Sequence, residues 1–185
     1  SSNTQYAKAL FDTWGFDATT VNGYAGVEAL QPFLDYADRG VFVWCRSSNE
    51  GASELQDQVL GGNGGKRLFE HVAESAVRWD RNDNIGLVVG ATYPEDLARV
   101  REIAPDMPVL LPGVGAQEGF LRASVLGGID ASGRNLIVAS SRSILYASKE
   151  PAAFESASRA AADDLRRQIN GMLDEAGKPW QPTST

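Results

Sequence analysis

The chain has 185 residues, 43% of them hydrophobic, which is material for one substantial core and gives no reason to divide it. A formal net charge of −7 disfavours nucleic acid or an anionic membrane as the main partner, so any anionic ligand requires a locally built site. Cys45 and His71 are the only cysteine and histidine. They exclude an intrachain disulfide, leave no histidine- or cysteine-based metal centre, and, with no long apolar run, point to a reducing cytoplasm.

Residues Ser1 to Asn3 carry capping-type side chains directly ahead of a helical pattern, with no basic or apolar leader before them. That abrupt start predicts the C-terminal part of a longer protein. Tyr6, Ala7, Leu10, Phe11 and Trp14 fall on one helical face, and Ala18-Thr19-Thr20-Val21-Asn22 reads as a short buried strand. Gly23-Tyr24-Ala25-Gly26 ends that strand. Val27, Leu30, Phe33, Leu34 and Tyr36 outline a second helix, closed by Asp38-Arg39-Gly40 before the β-branched and aromatic run Val41 to Cys45.

A longer connection follows, with Leu55, Val59, Leu68, Val72, Ala76 and Val77 as its apolar positions and GGNGG at 61 to 65 as a solvated break. Ile85 to Gly90 is strand-like. Pro94 to Ile103 is a helix with proline near its start and Leu97, Val100 and Ile103 turned inward. Val109-Leu110-Leu111 is the fourth strand, Phe120, Leu121, Ala123 and Val125 mark a short helix, and Leu136 to Ala139 is the fifth strand. A long helix begins near Pro151, with Phe154, Ala161, Leu165, Ile169 and Met172 as its apolar stripe.

Five βα units with strands apolar on both faces imply a parallel sheet covered by helices. Between a small doubly wound sheet and a (β/α)8 TIM barrel, the strand-end chemistry and abrupt start favour the barrel. The chain then holds the last five βα units, with 1–185 as the C-terminal part of a single barrel domain. Five strands alone would leave two unpaired edges, so poor independent folding is expected.

Reactive groups in such folds gather where strands end. Those positions are Asn22, Ser47-Ser48-Asn49, Ala91-Thr92, Gly113 to Gln117, and Ser140-Ser141-Arg142. Glycines at 113 and 115 let backbone N–H groups approach a ligand, Gln117 adds an amide donor, and Arg142 offers a planar fork for phosphate oxygens. Charge-assisted bonds of roughly 1.5 to 3 kcal/mol each would let three or four hold a phosphomonoester on an acidic protein. Glu118 opposes this electrostatically unless its carboxylate faces solvent. His71, within a helix, and Cys45, within a buried strand, are read as structural. Arg46 at its strand end could pair with a carboxylate. The residues themselves leave the function open, with another phosphosugar-binding barrel, such as an epimerase or hexulose-phosphate synthase, and a non-catalytic nucleotide-binding fragment among the readings.

LLPGVGAQEG followed by LIVASSRSILYAS, with FDATTVNGYAG, VFVWCRSSNEGA and GLVVGATYPEDLARVREIAP upstream, resembles orotidine 5′-monophosphate decarboxylase of the bacterial type 2, mycobacterial-like group. The resemblance implies cofactor-free decarboxylation of orotidine 5′-phosphate to UMP and CO2 by a cytoplasmic homodimer with shared active sites. It implies that Gln117 closes over the substrate and reaches the phosphate, that Arg142 binds the phosphate, and that the Ser141 N–H contacts it. Gly115 belongs to the same loop. Ser47 would hydrogen-bond the pyrimidine edge, Pro112 and Val114 would line the base pocket, and Ser2 would face the neighbouring subunit's site. The family loop often reads GAQGG, so Glu118 departs from it. The family's Asp-x-Lys-x-x-Asp array, whose lysine protonates C6, does not occur here, and none of Lys8, Lys66, Lys149 and Lys178 sits at an expected strand end.

Overall fold

The computed structural model describes residues 1–62, 64–114 and 118–181, the side chains at 118 and 119 excepted. Its strands are β1 (Ala18–Asn22), β2 (Gly40–Arg46), β3 (Ile85–Val89), β4 (Val109–Pro112) and β5 (Leu136–Ala139). They form one parallel sheet in the order β1-β2-β3-β4-β5, so each strand pairs with its neighbour in sequence. A doubly wound sheet reverses its strand order at a switch point. This one does not, which is the strand order of successive units in a barrel.

The helices between strands are α2 (Val27–Leu34), α4 (Leu68–Trp79), α5 (Pro94–Ile103) and α6 (Glu118–Gly128). Short α3 (Ser53–Gln56) follows β2, and α1 (Ser2–Ala7), α7 (Arg142–Leu145) and α8 (Phe154–Glu175) complete the set. Strand residues alternate between two faces. Val41, Val43, Ile85, Leu87, Val109 and Leu111 share the face toward the helices and join one core with Leu30, Phe33, Phe69, Ala73, Leu97, Val100, Leu121 and Val125. In register on the opposite face stand Thr20, Phe42, Gly86, then Asn22, Trp44, Val88, Leu110 and Ile137.

That second face corrects the expectation of strands buried on both sides. Only β3 is buried throughout. Trp44 is 50% and Ile137 49% exposed, and β1 is alternately exposed and half-buried. With helices on one side only, the other side of the sheet lacks a covering layer among the described residues.

Two helical stripes, the first and the last, differ from expectation, and the faces of two further helices are set by packing. After α1 the chain continues as a π-helix over Lys8–Thr13, with Trp14 N–H bonded to the Ala9 carbonyl at 3.0 Å. Each i→i+5 bond closes over one more residue than the i→i+4 bond of an α-helix, so a 3.6-residue period drifts off the core. Ala7 and Phe11 stay buried, but Tyr6 and Trp14 are exposed. On α4 the buried face is Phe69, Ala73 and Ala76, while Val77 is exposed, as are Leu55 and Val59 before it. On α6 Leu121, Ser124 and Val125 face inward and Phe120 and Ala123 outward. On α8 Phe154 is exposed and Met172 buried. The described glycines of GGNGG, at 61, 62, 64 and 65, form turns flanked by an antiparallel bridge between Val59 and Arg67, a break as expected.

Candidate active site: two cavities at the strand ends

The C-terminal ends of β2, β3 and β4 are stitched together by the residues just beyond them. Gly90 N–H donates to the Arg46 carbonyl at 2.8 Å and Ala91 N–H to the Pro112 carbonyl at 3.1 Å. Thr92 Oγ1 donates to the Ser48 carbonyl at 3.1 Å. Gly90 permits this approach: a Cβ there would lie 2.7 Å from the Ser48 backbone nitrogen. The strand-end positions therefore converge on one rim.

Two cavities open on that rim, and Pro112 lines both. The first, about 570 Å³, is bounded by Thr20, Asn22, Trp44, Ser47, Ser48 and Val88, among others. The second, about 420 Å³, is bounded by Pro112, Gly113 and Val114 at the end of β4 and by Ala139 and residues 140 to 143 at the end of β5. Gly113 has φ +82°, a left-handed conformation that a side chain would strain, and it turns the chain from one cavity to the other. The Val114 carbonyl accepts a hydrogen bond from Ser140 Oγ at 3.4 Å, tying the two loops together.

Arg142 is the only charged residue among the described ones lining the second cavity. No described carboxylate lies within ion-pairing distance of its exposed guanidinium, in contrast to Arg122, which meets Glu175 at 2.6 Å. A compartment with one unneutralised cation, two loop backbones and three serines can accept an oxyanion. Ser141 precedes Arg142 as the N-cap of α7. The other expected anion donors, Gly115 and Gln117, lie outside the described residues, as does the Glu118 side chain.

Ser47 lies in the wall of the first cavity with little exposure, and its polar atoms are already engaged. Its N–H donates to Gln56 Oε1 at 2.9 Å, and its Oγ accepts from Gln56 Nε2 at 2.8 Å. Ser48 is the more open hydroxyl. Its Oγ would lie 3.2 Å from a Cβ on Gly113, placing it beside the turn between the cavities. Ser2 opens α1, is exposed and lines neither cavity. Asn22 reaches the first cavity while its Oδ1 accepts from the Tyr24 N–H at 2.9 Å.

Sequence reading left the carboxylate partner of Arg46 undecided, and the structure supplies two. A register shift between Trp44 and Arg46 turns Arg46 onto the helix face beside Val89. There its side chain is 1% exposed, with Nε 2.9 Å from Asp96 Oδ2 and Nη2 3.2 Å from Asp57 Oδ2. The guanidinium carbon lies 4.4 Å from the Tyr93 ring centroid. Arg67 Nη1 meets the other Asp96 oxygen at 2.9 Å. Gln56 and this buried network carried no sequence signal beyond an arginine closing an otherwise apolar strand.

None of the lysines lines either cavity. Lys66 pairs with Glu74, and Lys178 donates to the Asp130 carbonyl at 3.1 Å. Among the described residues no group of three or more histidine, cysteine, aspartate or glutamate side chains could hold a metal ion, and no helix is long and apolar enough to cross a membrane.

A parallel βα sheet in consecutive strand order, with a polar and a cationic compartment at its strand ends, defines a barrel-type α/β protein. The comparisons narrow the class. The model of the orotidine 5′-phosphate decarboxylase / HUMPS family matches residues 2–157, and the chain belongs to that family. Among curated relatives, the orotidine 5′-phosphate decarboxylase of Thermomicrobium roseum is 51% identical over 176 residues, covering 95% of this chain and 62% of the relative. That of Aromatoleum aromaticum is 48% identical, covering 92% and 62%. Among solved structures, Leishmania donovani UMP synthase superposes with TM-score 0.83 at 41% identity, covering 92% of this chain and 36% of that one. Leishmania donovani OMP decarboxylase gives TM-score 0.80 at 39% identity, covering 93% and 63%. The five βα units thus match those of a TIM-barrel family, and the chain spans about three-fifths of the length of its first curated relatives.

Proposed function

We propose that this chain supplies the phosphate- and pyrimidine-binding loops of an orotidine 5′-phosphate decarboxylase, acting in de novo pyrimidine biosynthesis to yield UMP and CO2. The single observation that carries the proposal is the pair of cavities sharing Pro112, one holding the cation Arg142, which meets no described carboxylate, and the other lined by serine and asparagine groups. A nucleotide has the same division: a dianion at one end and a polar planar base at the other. Arg142, the Ser141 N–H, Gly115 and Gln117 take the phosphate. Pro112 and Val114 bound the base, and Ser47 with Ser48 offers the hydroxyl for its edge.

Phosphate binding remote from the reacting carbon contributes to the rate by closing loops and fixing the substrate's orientation. Since no lysine lines either cavity, the group that protonates C6 comes from a part of the barrel not represented in residues 1–185. These residues form the C-terminal part of one barrel domain, of the bacterial type 2 group, in a cytoplasmic homodimer where Ser2 faces the partner's site. The identities of 51% and 48% to orotidine 5′-phosphate decarboxylases favour this over an epimerase or a hexulose-phosphate synthase.

The test is steady-state kinetics of Arg142→Ala and Gln117→Ala in the full-length protein. Losing one charge-assisted phosphate bond should lower kcat/KM by about 10- to 100-fold in each. Unchanged kcat/KM in both variants would refute the assignment, and turnover of ribulose 5-phosphate in place of orotidine 5′-phosphate would transfer it to a phosphosugar enzyme.

A further inference from the structure

We propose that Gln56 is a positioning residue for base recognition, acting through Ser47 to hold the Ser48 hydroxyl at the first cavity. The inference rests on the nucleotide reading above. A primary carboxamide can bind one residue at two points, and Gln56 does so. Its Oε1 accepts the Ser47 N–H at 2.9 Å while its Nε2 donates to Ser47 Oγ at 2.8 Å. Those two bonds fix both the backbone and the side chain of the first residue beyond β2. They also fix the direction of hydrogen bonding, because with Oγ accepting from Gln56 the Ser47 proton is directed elsewhere.

The amide is held the right way round by a second donor. Arg46 Nη1 points at the same Oε1 from 3.3 Å, so a flipped amide would set its NH2 against two donors. Arg46 is itself immobilised by Asp96, Asp57 and the Tyr93 ring, which roots the arrangement in the packed interface between α4 and α5. Ser48 has no freedom to compensate for movement of Ser47. It is packed against Gly90 on one side and Gly113 on the other, with a Cβ at either position coming within 2.7 Å and 3.2 Å of it. Gln56 thus controls the base compartment without reaching the one that contains Arg142.

This separation provides the test. In the full-length protein, Gln56→Ala should weaken UMP binding about 10-fold, as expected for loss of two neutral hydrogen bonds, while ribose 5-phosphate, which lacks the base, binds within about twofold of wild type. Ser48→Ala should show the same split, and combining the two should add little, since they act on one contact. Gln56→Glu keeps an acceptor for the Ser47 N–H and should retain UMP affinity between wild type and Gln56→Ala. Parallel loss of both ligands in Gln56→Ala and Gln56→Glu would mark a purely structural role and overturn the inference, as would UMP affinity unchanged in both. Wild-type protein that binds ribose 5-phosphate but gains nothing from the base of UMP would instead remove the nucleotide reading, and the inference with it.

Discussion

Cys45 and Arg46 are neighbours in one strand and show opposite ways of burying a polar side chain. Burial pushes the Cys45 thiol up to about 12, outweighing the nearby Arg46 charge, and its Sγ donates to the Phe69 carbonyl at 3.3 Å. The thiol therefore stays protonated, and only the thiolate is nucleophilic. At pH 8 the folded protein should resist iodoacetamide, whereas the urea-unfolded chain should be alkylated within minutes; mass spectrometry reads the difference. Rapid modification of the folded protein would contradict the burial. Arg46 is buried instead among partners, with two carboxylates, the Gln56 amide oxygen and the Tyr93 ring in place of water. Removing one partner of such a pair costs about 3 to 5 kcal/mol, since a charge is left buried alone.

At the scale of the element, Gly86, the second residue of β3, has a definite reason to lack a side chain. A Cβ there would lie 2.5 Å from the Phe42 ring and 2.9 Å from the Pro108 carbonyl oxygen. Gly86→Ala should destabilise by about 1 to 3 kcal/mol through overpacking, measured as a lower urea midpoint. Phe42→Leu in the same background should recover part of that loss, and full additivity of the two changes would show that the ring is not the obstacle.

The strands were the most legible elements: β1 and β5 match their apolar or β-branched runs end to end, and α5 begins and ends where its proline and last isoleucine place it. Helical faces were less so, because the π-helical turn and the one-sided cover of the sheet are set by packing, which a period of 3.6 does not encode. The site divides the same way. The cationic loop was readable from Arg142 and its serines, but Gln56 was not, since its function depends on a contact nine residues back across a turn.

Across the whole molecule, two carboxylates tie stability to pH in the same direction. Glu70 is raised by burial, but the Arg99 guanidinium and the Arg67 N–H outweigh this and hold it below its ordinary value of 4.5. Asp130 is likewise opposed by burial but lowered overall by the Arg134 N–H and by Ser132, below its ordinary 3.8. A depressed folded pKa stabilises above the unfolded value, and that contribution is lost as pH falls through the folded one. The urea midpoint should therefore hold between pH 7 and pH 5 and drop below about pH 4. Glu70→Gln with Asp130→Asn should be less stable at pH 7 and show a shallower acid drop; an unchanged drop would place the acid sensitivity in other groups.

The consecutive strand order also bears on how the protein is made. Each of β2 to β5 pairs with the strand that left the ribosome just before it, so each such pairing closes only a short loop and requires no later segment as a template. Synthesis can therefore lay these five strands down in one direction, β1 before β5. The rim between β4 and β5, where the Val114 carbonyl meets Ser140 and Arg142 follows, is assembled after β1 to β3. In this order the compartment lined by Arg142 is created only once the strands beneath it are in place.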